Sequence, residues 1–264
     1  MADTLKRIEN GEFFLIAGPC VIESESICTK IADKLTALTD KLGVPYVFKA
    51  SFQKANRTSA GSYTGPGRKA GLTVLRKIKE EFNVPILTDI HETDQVDEVA
   101  EVADILQIPA FLCRQTDLLA KAGATGKWVN IKKGQFLAPE DMGKAALKTA
   151  SDKVMLTERG TFFGYRSLVV DFRSLLIMKR TGYPVVFDAT HSLQLPGGGD
   201  GVSLGQPEFI LPMARAAAAV GIDGLFVETH PNPSEGLSDA AAMLPLTEME
   251  PLLDAVLKIQ KSQK

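Results

Sequence analysis

The chain has 264 residues, 45% of them apolar and 23% charged, with 30 Lys and Arg against 32 Asp and Glu. These are ordinary values for a soluble globular protein, and the near balance of charge excludes a global field that would draw nucleic acid or a membrane surface. The three cysteines, Cys20, Cys28 and Cys113, are odd in number and lack a CxxC spacing, which excludes a disulfide framework and suits a reducing cytosol.

Met1–Glu12 is polar and has no apolar h-region, so residues 1–12 are expected to be an N-terminal extension and not a signal peptide. No apolar stretch approaches the length of a membrane span, and the expected location is the cytoplasm. The first apolar run, Phe13–Gly18, precedes a helical pattern over Glu23–Leu42 with Ile27, Ile31, Leu35, Leu38 and Leu42 on one face. Tyr46–Phe52 precedes Gly67–Phe82, where Leu72, Leu75, Ile78 and Phe82 share helical spacing. Pro85–Ile90 leads to Asp94–Val102, Ile105–Ala110 to Thr116–Ala124, and Trp128–Gly134 to Pro139–Thr149. Val154–Gly160 leads to Asp171–Lys179, Pro184–His191 to Pro207–Val220, and Gly224–His230 to Thr247–Lys261. Continuous apolar runs alternating with helices read as buried parallel strands. Eight such units in a chain of this length predict a single-domain TIM (β/α)8 barrel spanning residues 1–264. A doubly wound sheet also alternates strands and helices, but nothing makes it stop at eight units.

At or just beyond the ends of these runs stand Cys20, Lys49, Asp89, His91, Arg114, Lys132, Lys133, Arg159, His191, Glu228 and His230. A barrel puts all those ends on its catalytic face, so the pattern points to an enzyme. The connections 54–66, 192–206 and 231–245 are longer than usual. The Gly-rich stretch Pro196–Gly201 makes the second of them a candidate lid.

Lys54, Arg57, Arg114, Lys132, Lys133 and Arg159 concentrate cations at one mouth of a nearly neutral protein, which implies a ligand with several phosphate or carboxylate groups. Lys132 and Lys133 must point to opposite sides of their strand, so one faces the axis and the other the helices or solvent. A Schiff-base lysine is not excluded, since cationic neighbours also lower an amine's pKa. Cys20, His191, Glu228 and Asp239 come from strands seven, eight and one and the loop after strand eight, which are neighbours in a closed barrel. Together they suit a borderline divalent ion such as zinc or ferrous iron. Singly, Cys20 also reads as a buried small hydrophobe and Asp239 as a helix N-cap. His91 and His230 are alternative ligands or acid–base groups.

Long strings of this sequence resemble one family. They include 48–52 (Phe-Lys-Ala-Ser-Phe), 54–59 (Lys-Ala-Asn-Arg-Thr-Ser), 88–92 (Thr-Asp-Ile-His-Glu) and 107–117, which opens Gln107-Ile108-Pro109-Ala110. Further strings lie at 132–136, 157–160, 188–192 and 228–231. The chain resembles the 3-deoxy-D-manno-octulosonate 8-phosphate synthases, which condense phosphoenolpyruvate with arabinose 5-phosphate and release inorganic phosphate. The related synthase that uses erythrose 4-phosphate typically carries Lys-Pro-Arg-Thr where this chain has Lys54-Ala55-Asn56-Arg57. Gly18-Pro19-Cys20 is similar to the metal-dependent class, metal-independent members having Asn in place of Cys.

The resemblance implies Cys20, His191, Glu228 and Asp239 as ligands of one divalent ion per subunit, whether zinc, iron or manganese. It implies a phosphoenolpyruvate clamp of Lys49, Lys54, Lys132 and Arg159, with backbone near Gln107 and Ala110. Asn56, Arg57 and Thr58 are implied for the pentose phosphate. Arg114 is implied as a phosphate ligand given to a neighbouring subunit of a homo-oligomer, usually a tetramer. His191, Asp89, Lys54 and Lys132 are the candidates for catalytic roles. The implied pathway is lipopolysaccharide precursor biosynthesis. A phosphosugar-binding regulator on a decayed barrel is the non-enzymatic alternative, and no catalytic-looking position has been lost to an inert residue.

Overall fold

Successive side chains of a strand point to opposite faces, and the eight apolar runs sort themselves by that rule. The computed structural model describes residues 1–56, 61–162, 167–197 and 204–263. Its strands are β1 (Phe14–Gly18), β2 (Tyr46–Lys49), β3 (Ile86–Asp89), β4 (Ile105–Ile108), β5 (Trp128–Lys132), β6 (Val154–Glu158), β7 (Val185–Asp188) and β8 (Gly224–His230). Each pairs in parallel with the next, and β8 pairs with β1 from Phe14↔Gly224 to Gly18↔Glu228, so the sheet closes on itself. This is the (β/α)8 barrel that the alternation predicts.

Phe14, Ile16, Val47, Leu87, Ile105, Trp128, Met155, Val186 and Phe226 form one buried cluster inside the barrel. Their alternates, among them Leu15, Phe48, Leu106, Ile131, Phe187 and Val227, join a second cluster with the apolar faces of the helices. Two residues further along every strand but β1 the inward positions turn polar. Lys49 follows Val47, Asp89 follows Leu87, Gln107 follows Ile105, and Thr157 follows Met155, while Asp188 follows Val186 and Glu228 follows Phe226. An apolar plug therefore fills the lower barrel, and a polar layer lies on top of it at the C-terminal mouth. At that mouth β1 and β2 approach so closely that a Cβ on Gly18 would lie 2.0 Å from the Lys49 carbonyl oxygen.

The helices fall where the periodicity predicts them. They include α2 (Glu25–Leu42), α3 (Arg68–Phe82), α4 (Val96–Ala100), α5 (Thr116–Ala124) and α6 (Met142–Leu147). The series ends with α7 (Arg173–Lys179), α8 (Ile210–Val220) and α9 (Met249–Ser262). In α2 the Ser24 side chain accepts from the Ile27 amide at the start, and Gly43 ends it in the left-handed conformation.

Two expectations change. Residues 1–12 are more than a polar extension, because Ala2–Glu9 forms a helix, α1, that buries Ile8 in the interior cluster with Leu5 packed beside it. Two apolar residues one turn apart are too weak a pattern to register against seven polar neighbours. The second strand also ends three residues early, at Lys49, and so does the seventh, at Asp188, where His191 opens a 3-10 turn. In the seventh the cause is Asp188, whose Oδ1 accepts from the amides of Thr190 (3.1 Å) and His191 (2.9 Å) and from the Thr190 hydroxyl (3.0 Å). Such side-chain-to-backbone bonds compete with the sheet ladder and turn the chain.

Candidate active site

The polar layer floors a pocket of about 390 Å³. Of the residues singled out from sequence, Lys49, Lys54, Asn56, Asp89, Gln107, Ala110, Lys132, Arg159, His191 and Asp239 line it, as does His91. Cys20 and Glu228 are buried at its wall. Arg114 is exposed and does not line its own chain's pocket, and Arg57 and Thr58 lie outside the described residues. The hairpin of Gln194–Leu195 with Leu204–Gly205 brings Gln194, Pro196 and Leu204 to the rim, while positions 198–203 of the expected lid are outside the described residues.

The two adjacent lysines separate as strand parity requires. Lys132 points inward, paired with Asp188, and its ammonium lies 3.4 Å from the centre of the Phe226 ring. Burial pushes its pKa down to about 8 against the opposing pull of Asp188. Lys133 points outward yet is fully buried, donating to Thr161 Oγ1 at 2.9 Å and lying 3.5 Å from Glu158. It therefore sits in the layer between strands and helices and not in the pocket.

Arg159 is held by Gln194, its Nη2 donating to Gln194 Oε1 at 2.9 Å, and its Nη1 is buried without a hydrogen-bond partner. A buried guanidinium with spare donors is prepared to receive an anion, because leaving those donors unsatisfied is costly. Burial lowers the Arg159 pKa against the opposing pull of Asp188, Asp239, Glu158 and Glu228. Around Lys54, burial opposes the charge, while Cys20, Glu228, Asp89 and Asp239 raise its pKa above the ordinary value. Asp89 is the counterpart: burial opposes its charge, but Lys54, Lys49 and His91 hold its carboxyl below the usual range. Lys49 donates to the Cys20 carbonyl at 3.0 Å and pairs with Glu228, and Lys54 lies 3.8 Å from the same carboxylate.

At the seam of β8 and β1, Cys20 Sγ donates to Asp239 Oδ2 at 3.1 Å and lies 2.7 Å from Ser238 Oγ. Cys20, Glu228 and Asp239 present ligand atoms that all lie within 4.8 Å of one another. His191 stands beside this trio and not within it, Nε2 being 3.5 Å from Glu228 Oε1 and Nδ1 2.7 Å from Asp188 Oδ2. Asp239 has φ +50, a left-handed backbone that is uncommon outside glycine. It begins no helix, so the N-cap reading fails. A thiol, two carboxylates and a nearby imidazole make a donor set that suits a borderline divalent ion. His230 lies apart, its Nε2 3.7 Å from Glu23 Oε2.

Asp188 is one of the site residues that sequence reasoning missed. It joins Lys132 to His191 from the floor, and its position two after Val186 on an inward face was the available signal. Gln194 and Ser238 were hidden by lying in loops, whose side-chain directions follow no period.

Fold and site together define a class: a (β/α)8 barrel with a cation-lined pocket and a buried thiol–carboxylate cluster at its C-terminal mouth. The chain belongs to the DAHP synthetase I family, whose model matches residues 4–264. It is 55% identical to the 2-dehydro-3-deoxyphosphooctonate aldolase of Syntrophotalea carbinolica, over 98% of this chain and 96% of that one. It is 54% identical to the protein of the same name from Fusobacterium nucleatum, over 96% and 92% of the two chains. For the namesake in Dichelobacter nodosus the figures are 57% identity over 91% and 88%.

Proposed function

We propose that this protein is a 3-deoxy-D-manno-octulosonate 8-phosphate synthase, joining phosphoenolpyruvate, D-arabinose 5-phosphate and water and releasing inorganic phosphate, in lipopolysaccharide precursor biosynthesis. The observation that carries the reading is near-full-length identity of about 55% to relatives bearing the corresponding aldolase name, together with the cationic pocket. In the reaction C3 of the enol phosphate bonds to the sugar aldehyde carbon while water adds at C2. The resulting hemiketal phosphate then breaks its C–O bond and expels phosphate.

Two multiply charged anions repel each other at close range unless cations lie between and around them. Lys132, Arg159 and Lys54 are placed for that work, with Lys49 behind them. Arg159 Nη1 offers its unpaired donors to a phosphate or carboxylate oxygen. Asp89 is held ionised at the floor, as an acceptor for a hydroxyl or water proton. His191, in contact with Asp188, is placed to orient the enol phosphate or carry a proton.

Cys20, Glu228 and Asp239, with His191 turned toward them, would hold one divalent ion such as zinc, iron or manganese. Such an ion supplies Lewis acidity toward a carbonyl oxygen or a bound water. Asn56, Arg57 and Thr58 are assigned to the sugar phosphate by resemblance. We read the working form as a homotetramer in which Arg114, exposed and away from its own pocket, serves a neighbour's. The cytoplasm is the expected location, and no helix among the described residues is long and apolar enough to cross a membrane.

The test is phosphate release with both substrates, against each alone. Release that needs both phosphoenolpyruvate and arabinose 5-phosphate is expected; turnover with erythrose 4-phosphate instead overturns the substrate assignment. The lowered pKa of Lys132 favours one rival, a Schiff-base aldolase, since a more neutral amine is a better nucleophile. Borohydride trapping decides between them, and no lysine adduct is expected.

A further inference from the structure

Below the pocket floor a chain of buried polar side chains runs up to Asp89, and its lower members take no part in the proposed reaction. Thr157 Oγ1 donates to Asn130 Oδ1 at 2.6 Å, and Asn130 Nδ2 donates to Gln107 Oε1 at 2.8 Å. Gln107 Nε2 then donates to Asp89 Oδ1 at 2.5 Å, and Ser51 donates to the other oxygen, Oδ2. The chain crosses from β6 through β5 and β4 to β3, with Ser51 just beyond β2. Asn130 and Thr157 have 0% exposure and do not line the pocket, whereas Asp89 and Gln107 do.

The sense of this chain follows from the carboxylate. Ionised Asp89 only accepts, so Gln107 must present its amide nitrogen there and turn its carbonyl oxygen away. That oxygen must meet a donor, which fixes Asn130 with its nitrogen forward and its oxygen back. The oxygen of Asn130 in turn requires the Thr157 hydroxyl to donate. Every link points toward Asp89, and hydrogen bonds aligned head to tail polarise one another. From above, Lys54, Lys49 and His91 face the same carboxylate. Two residues earlier on the inward face the barrel uses Trp128 and Met155, so apolar side chains suit this interior and the amide and hydroxyl are an exception. Buried polar groups are costly unless bonded, and here each is bonded only through the next.

We propose that Asn130 and Thr157 are positioning residues that act through Gln107, locking its amide so that Asp89 is held ionised and aimed into the pocket. Neither touches substrate. The inference deepens the reading of this pocket as the synthase site.

Thr157→Val keeps the shape and removes the hydroxyl. It is expected to lower kcat/KM about tenfold, the scale of one buried hydrogen bond, and Thr157→Ser to stay within about twofold of the parent. In a Gln107→Ala background, Thr157→Val should cost less than about twofold, because nothing is left to orient. An equal loss in both backgrounds, or none in either, overturns the proposal. Side-chain amide NMR reads the same chain without any turnover, so it stands apart from the substrate assignment. The Gln107 side-chain N–H protons should exchange slowly in the parent and in Thr157→Ser, and lose that protection in Thr157→Val. Unchanged protection overturns the proposal whatever the activity. Should Thr157→Val fail to fold, Asn130→Leu asks the same question, because it keeps the volume and leaves Gln107 Oε1 without its donor. Gln107 side-chain N–H protons that keep their parent protection in that variant overturn the relay.

Discussion

Cys20 and Cys28 are both buried thiols, yet their surroundings set them apart. Cys28 lies within α2, and burial pushes its pKa up to about 12, followed by the smaller influence of Glu23 and Glu25. Cys20 is buried too, but it touches Asp239 and Ser238 and shares a cluster with Glu228. Cys20→Asn is therefore expected to bind much less divalent metal and to keep measurable, chelator-resistant activity, as the class with Asn at this position implies. Cys28→Ala should leave metal content unchanged. Metal analysis of purified protein checks both, and parent-like metal in Cys20→Asn would reduce Cys20 to a packed thiol. In the parent, chelation should abolish activity and a divalent ion restore it. Lys132 makes a pH prediction. Its ammonium binds anions and its neutral amine does not, and burial lowers the changeover to about pH 8. The KM for phosphoenolpyruvate should thus rise as pH climbs past 8, and a flat profile up to pH 9.5 would show that the lysine stays charged. Lys132→Met should raise KM at every pH and remove the dependence.

Single elements carry constraints of their own. Helix α1 anchors on Ile8, which has 2% exposure and packs beneath the interior cluster. Truncation of a buried isoleucine typically costs about 2–5 kcal/mol. Ile8→Ala should fall in that range by urea denaturation, with kcat nearly unchanged because the pocket lies at the other end of the barrel. A loss below about 0.5 kcal/mol, the scale of ordinary surface changes, would mean that α1 only rests on the surface. At the mouth, Gly18→Ala would drive a methyl into the Lys49 carbonyl. Overpacking of this kind typically costs about 1–3 kcal/mol. Because Lys49 binds Glu228 and the Cys20 carbonyl, the displacement reaches the thiol–carboxylate cluster as well. Lowered metal content together with a lowered Tm is the expected signature.

At the scale of the whole molecule, Arg114→Ala tests whether one chain completes another's pocket. Removing a charge-assisted phosphate contact typically costs about 1.5–3 kcal/mol. The KM for arabinose 5-phosphate should rise more than that for phosphoenolpyruvate, with the oligomer intact by sedimentation. Equal rises would make Arg114 structural. The sequence by itself determined the ladder of eight strands and eight helices, since burial on both faces of a parallel strand leaves a continuous apolar run. It also determined that the cations and the candidate ligands stand at strand ends. These signals are local, carried by residues a few positions apart. Only closure of β8 onto β1 decided which ends meet, bringing Cys20 to Glu228 and Asp239 while leaving His191 beside them and Arg114 outside. Parity placed Lys132 and Lys133 on opposite faces, but which one faced the axis depended on the register of β5 between its neighbours. Asn130 and Thr157 stayed illegible for the same reason. A short polar residue within a strand has meaning only through the side chain across from it, and that partner lies tens of residues away in the chain.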